Sequence, residues 1–176
     1  NIHEGADPFG PEVRTPFTFV EKIKTYRKLG FEGVQFHDDD VVDASVPASQ
    51  VEKKAKEVRN LLDGEGLKTE FVAPRIWEDP RGIDGGFTAN DPKVRRWAVD
   101  RYKRTIDIAH VLGTNFLVYW PAREGTLIRE SKDPVTAVLR MLRFINRRII
   151  TTAIKAPRVP SRCTPSSPSV IPVPRS

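Results

Sequence analysis

The chain has 176 residues, 39% hydrophobic and 30% charged, with a formal net charge of +6, the balance of a one-domain globular protein. No apolar run approaches the roughly 20 residues needed to cross a bilayer, and the start "NIHEGADPFG" has no basic region followed by an apolar one, so neither a membrane span nor an export signal is expected. A single cysteine, Cys163, leaves no internal disulfide to form and fits a reducing compartment, which makes cytoplasmic placement the expectation.

In chain order, "PFTFVEKIKTYRKL" places Phe19, Val20, Ile23 and Tyr26 on one face, predicting a helix with Thr15 as N-cap, Pro16 at its first position and Gly30 as its stop. "GVQFH", Gly33 to His37, is a short strand. Ala48 to Leu62 follows as a helix carrying Val51, Ala55, Val58 and Leu62, ended by "DGEG". "LKTEFVA" alternates as a strand from Leu67 to Ala73. After a long loop, a helix from Pro92 to Leu112 is capped by Asp91 and ended by Gly113. "NFLVYW", Asn115 to Trp120, is the next expected strand, and Val135 to Ile149 the last helix, with Val135, Val138, Leu139, Leu142, Ile145 and Ile149 in one stripe.

The last stretch is different in kind. Eight basic residues and no acidic one follow Asp133, leaving residues 1–133 with 21 basic against 23 acidic, so the body is about neutral. Six of the fifteen prolines fall in the last twenty residues, where they remove backbone donors that a helix or strand would need. Residues 1–150 are therefore expected to fold as one α/β unit and residues 151–176 to form a disordered Pro/Ser/Arg-rich tail.

Helices alternating with strands are the pattern of successive βα units on a parallel sheet, and no GxGxxG or GxxxxGK fingerprint follows any strand, which favours a barrel over a nucleotide-binding sheet. In such folds chemistry gathers at the carboxyl ends of the strands. Those ends carry His37 to Asp40, then Arg75, Trp77 and Glu78, then Tyr119 and Trp120. A histidine and a carboxylate among aromatic rings can hold a small polar ligand whose CH face stacks on a ring, as a sugar's does. A carboxylate bonded to one imidazole nitrogen would fix the tautomer and leave the other for the ligand. Residues three apart at a strand-to-loop turn can fold back on each other, so Asp40 is a better partner for His37 than Asp38, which starts on the opposite face. The plain alternatives stand beside this: a hydrogen-bonded structural histidine, core tryptophans, Asp38 and Asp39 as a solvated turn, Trp97 as packing, and "DGGF" as a turn that needs glycine at positive φ. His3 and His110 receive no role.

"DPFG" at Asp7, "GVQFHDDD" at Gly33, "DGGFTAND" at Asp84, "VRRWA" at Val94 and "YWPAREG" at Tyr119 together resemble, in order and spacing, the shorter actinomycete-type xylose isomerases, over Asp7 to Arg148. The resemblance implies a partial (β/α)8 TIM barrel, roughly its first four βα units with the first strand missing or incomplete. It also implies that His37 contacts the sugar ring oxygen and assists ring opening with Asp40 behind it, and that Trp120 belongs to the substrate wall. Trp77 stands where many members have phenylalanine, and Phe9 is similar to the phenylalanine that reaches into a neighbouring subunit's site of a homotetramer. The implied reaction interconverts D-xylose and D-xylulose by a hydride shift, aided by two divalent cations, magnesium, manganese or cobalt.

The ligands of those cations and a catalytic lysine lie further along such chains, after "MLRFINR". Here the glutamate place falls near Thr164 and the lysine place near Ser166, so no metal ligand is assigned. The loss of every acidic residue and the rise in Pro, Ser and Arg are what a shifted reading frame would produce. The expectation is a truncated, inactive xylose isomerase with a sugar as its partner and neither nucleic acid nor membrane. Other readings are a related metal-dependent sugar isomerase or epimerase barrel, or a non-enzymatic fragment whose basic tail binds an acidic partner.

Overall fold

The structure, a computed structural model, describes residues 11–121, 123–125 and 131–144. Phe9, the "DPFG" motif and the 151–176 tail lie outside these residues, as does the expected helix beyond Phe144. Helix α1 (Phe19–Lys28) begins later than the expected Thr15–Pro16 start. The reason is a capping box: Thr18 Oγ1 accepts from the Glu21 N–H at 3.2 Å while the Thr18 N–H donates to Glu21 Oε2 at 2.8 Å. Thr15 has no acidic residue three positions on to reciprocate. Gly30, at φ +84°, ends the helix in the left-handed region as expected.

Strand β1 (Gly33–His37) runs into a single turn, α2 (Asp38–Val41), and then helix α3 (Ala48–Gly64) returns to β2 (Lys68–Ala73). A 3-10 turn (Pro80–Asp84) interrupts the following loop. Helix α4 (Pro92–Leu112) has the predicted ends: the Asp91 side chain accepts from the Lys93 N–H, and Gly113 closes it at φ +79°. Helix α5 (Pro134–Phe144) is the last described element.

β1 and β2 pair in parallel, Gly33 with Lys68 and Val34 with Thr69, then Phe36 with Val72 and His37 with Ala73; the register shifts between Val34 and Phe36. One additional β2 residue is thus accommodated just before His37. The expected third strand is reduced to one parallel bridge, Val72 with Leu117. Val72 accepts from the Val118 N–H at 3.1 Å and donates to the Phe116 carbonyl at 3.3 Å. At the next position the Glu70 carbonyl takes the Thr114 hydroxyl at 2.6 Å in place of a backbone amide, so the ladder does not extend.

Alternation along β1 divides the molecule into two layers. Val34 and Phe36 point into a core with Ile23, Ala55, Leu62, Val72, Ile108 and Leu112, contributed by α1, α3, β2 and α4. Gln35 lies on the other face, where its Nε2 donates to Glu70 Oε2 at 2.6 Å. A second cluster gathers Ile76, Phe87, Ala98, Tyr102 and Phe144 beneath the strand ends. The α5 stripe read from the sequence does not face the core: its described members Val135, Val138, Leu139 and Leu142 are exposed, and Ala137 and Phe144 are buried instead. No helix among the described residues is long and apolar enough to cross a membrane.

Candidate active site at the strand ends

His37 is the last residue of β1 and Ala73 its partner at the end of β2, so the loops leaving both strands meet at one edge. Pro74 is buried behind Ala73, and Arg75, Ile76 and Trp77 follow at once. The His37 ring stands edge-on to Trp77, with centroids 5.3 Å apart, and edge-on to Trp120 at 5.9 Å. Three of the residues singled out in the sequence, from the ends of β1 and β2 and from the segment after the Val72–Leu117 bridge, are therefore in contact. Trp77 and Trp120 also stack on each other at 5.5 Å and 21°, contact geometry for two indoles. They leave no slot between them; the surface they offer is the outer side of Trp120, which is half exposed.

Asp40 turns back as expected, but toward the backbone more than the ring: its Oδ2 accepts from the His37 N–H at 2.9 Å. The same oxygen is 3.4 Å from the ring Nδ1, an ion-pair distance longer than a good hydrogen bond. Burial pushes the Asp40 carboxyl up, yet hydrogen bonding to His37 and the Arg75 charge outweigh it and leave the group below the ordinary aspartate range.

The solvated-turn reading of Asp38 and Asp39 is overturned. Asp38 is 0% exposed. Its Oδ2 accepts from Arg101 Nε at 2.6 Å, and its Oδ1 from Arg101 Nη2 at 2.9 Å and from the Arg75 backbone N–H at 2.9 Å. Alternation does put Asp38 opposite His37, but that face is covered by α4 and not by water. Asp39 is half-buried, with its Oδ2 3.0 Å from Arg101 Nη2 and its Oδ1 3.1 Å from Arg75 Nε. Burial, then the neighbouring Asp38 charge, raise the Asp39 carboxyl against the opposing pull of Arg75 and Arg101.

Arg75 joins these groups. Its guanidinium reaches Asp40 Oδ1 at 2.7 Å, Glu78 Oε2 at 3.3 Å and His37 Nδ1 at 2.9 Å. Burial lowers its pKa, but Asp40, Asp39 and Glu78 together raise it further, so the group stays cationic. Neither Arg75 nor Arg101 was assigned a site role from the sequence. Three consecutive carboxylates ending a buried strand require cations nearby, and that was the signal available.

A second polar cluster ties the turn after Asp84 to Glu124 and Lys132. Buried Glu124 accepts from the Phe87 and Thr88 N–H groups at 3.0 and 2.9 Å and from the Thr88 hydroxyl at 2.8 Å. Buried Lys132 binds the Asp84 backbone oxygen and lies 3.1 Å from Asp84 Oδ1. Gly85, at φ +88°, sits in this turn as the "DGGF" reading requires. Trp97 packs as expected, with the Arg81 guanidinium 4.4 Å above its ring.

Among the described residues no group of three or more His, Cys, Asp and Glu side chains could hold a metal ion. The one dense carboxylate cluster, residues 38–40, is engaged by Arg75 and Arg101, so the residues present do not fit a divalent cation.

Parallel βα units with polar and aromatic residues gathered at the strand ends are the pattern of a partial TIM barrel. The family described as the xylose isomerase-like TIM barrel matches residues 23–150, and the chain belongs to it. That family includes sugar isomerases and epimerases and AP endonucleases; its members are often enzymes and often use divalent metals.

Proposed function

We propose that this chain carries the sugar-facing first half of a D-xylose isomerase site and binds an aldopyranose without turning it over. The observation that supports it is the meeting of His37 with Trp77 and Trp120 at the strand ends, with Asp40 and Arg75 gathered at the ring's Nδ1. The exposed side of Trp120 offers an apolar platform for a sugar's CH face. The free edge of the His37 imidazole is then available to a ring oxygen, which is the group that must be polarised for ring opening. The whole aldose–ketose interconversion needs metal ligands that the described residues do not provide, and the sequence has Thr164 and Ser166 where a glutamate and a lysine would be sought. No isomerase step is assigned to the chain itself.

Titrating the full chain with D-xylose tests this through tryptophan fluorescence. A saturable change with a dissociation constant on the order of millimolar, about −4 kcal/mol, is expected, lost in Trp120→Ala. D-xylulose formation in the presence of magnesium is expected to be absent. A flat titration, together with salt-dependent DNA binding that disappears on deleting residues 151–176, would replace the sugar reading with that of a basic fragment for an acidic partner.

A further inference from the structure

We propose that Arg75, and not Asp40, sets the tautomer of His37, placing the proton on Nε2 so that the ring presents a hydrogen-bond donor to its ligand. Two groups approach Nδ1: Arg75 Nη2 at 2.9 Å and Asp40 Oδ2 at 3.4 Å. A guanidinium has donors only, so the shorter contact is attractive only when Nδ1 is bare. Arg75 Nη2 has two hydrogens and two acceptors in place, Asp40 Oδ1 at 2.7 Å and His37 Nδ1 at 2.9 Å. Asp40 Oδ2 accepts from the His37 backbone N–H at 2.9 Å and stands too far from Nδ1, at 3.4 Å, for a second good bond. With Nδ1 bare, each of these donors has one acceptor. With a proton on Nδ1, an N–H would point at a guanidinium N–H, and one Arg75 hydrogen would lose its partner.

Asp39, Asp40 and Glu78 in turn fix the guanidinium, and the Arg75 backbone N–H is tied to buried Asp38 at 2.9 Å. Arg75 is therefore a positioning residue that acts through His37. The chemical consequence rests on the sugar-site reading above: His37 presents an Nε2–H donor to a ligand oxygen and polarises it, with no bond broken and no proton transferred. Neutral imidazole is known to act as an electrophile in this way.

The test is a long-range proton–nitrogen NMR correlation on the full chain labelled with nitrogen-15, at about pH 8.5, two units above the ordinary imidazole range of ~6.5. His37→Asn identifies the signals by their loss. The expected pattern is a bare-nitrogen resonance for Nδ1 and a protonated one for Nε2. Arg75→Met is expected to shift the ring toward Nδ1–H, and Asp40→Asn to leave Nε2–H in excess. A protonated Nδ1 in the unmodified chain overturns the proposal, as does an Arg75→Met spectrum that still shows Nδ1 bare. Should Arg75→Met fail to fold, Arg75→Lys, which keeps a charge but removes the planar fork from Nδ1, is read in its place with the same expected shift. None of these readings depends on sugar binding, so a flat xylose titration would remove the proposed ligand and leave the tautomer assignment standing.

Discussion

Asp38→Asn is the sharpest perturbation available to the buried ion pair. The isosteric amide keeps one oxygen for the Arg75 N–H, but its NH2 must then face Arg101 Nε, which now stands 2.6 Å from Oδ2. Donor meets donor in a place where Asp38 is 0% and the Arg101 side chain 7% exposed. Removing one partner of a buried pair destabilises by roughly 3–5 kcal/mol, because the remaining charge stays desolvated. Asp39 Oδ2, 3.0 Å from Arg101 Nη2, offsets part of this and points to the lower half of that range. Urea unfolding followed by circular dichroism should show a lower midpoint with an unchanged slope. Arg101→Met in the same background should recover much of the loss, since it removes the uncompensated charge. A change below about 1 kcal/mol, or two single substitutions whose effects simply add, would refute a strong coupling between these side chains.

Glu124→Ala should leave the Phe87 and Thr88 amides without a partner in a buried turn and lower stability by about 3 kcal/mol, read as a drop of about 10 °C in thermal midpoint. Gly85→Ala, at φ +88° with the added Cβ only 2.7 Å from Thr88 Oγ1 and 2.9 Å from the Arg123 carbonyl, should cost about 1–3 kcal/mol in the same melt. For Asp40 the folded pKa is lowered, so its contribution is fully present above the unfolded value of ~3.9 and is lost as pH falls through the folded value. Asp40→Asn should accordingly destabilise at neutral pH and match the unmodified chain at the acid end, a convergence that denaturation curves at several pH values would check.

The elements that were legible carry their signals locally. Asp91, Pro92 and Gly113 mark both ends of α4 within the chain itself, and "GVQFH" needs only its own alternation and Gly33 to be read as β1. The start of α1 was misplaced because Pro16 advertises a first helical position, while the Thr18–Glu21 pair satisfies two donors at once and wins. The third strand was overcalled because "NFLVYW" has the composition of a strand, but a ladder also requires free partners, and the Thr114 hydroxyl takes one of them. His37, Trp77 and Trp120 do meet as strand-end logic expects, although Trp120 follows a single bridge and not a full strand. Asp38 was not, because period-2 alternation says which side a residue takes, and only the docking of α4 decides whether that side is water or protein.

That distinction gives "HDDD" a division of labour and one further consequence. Asp38 holds the Arg75 backbone, and the Arg75 side chain holds His37 Nδ1, so the buried pair and the imidazole are joined through a single residue. Two substitutions at position 38 separate the links. Asp38→Asn retains an oxygen for the Arg75 N–H, and His37 should keep its Nε2–H form even as the protein loses stability. Asp38→Ala removes that acceptor, leaves the Arg75 amide unpaired, and frees the loop that aims the guanidinium; the His37 tautomer should then become mixed in the nitrogen-15 spectrum. If both variants left the ring unchanged, Arg75 would be positioned by Asp39, Asp40 and Glu78 alone. If both mixed it equally, the charge at Asp38, and not its bond to the Arg75 backbone, would be what reaches the site.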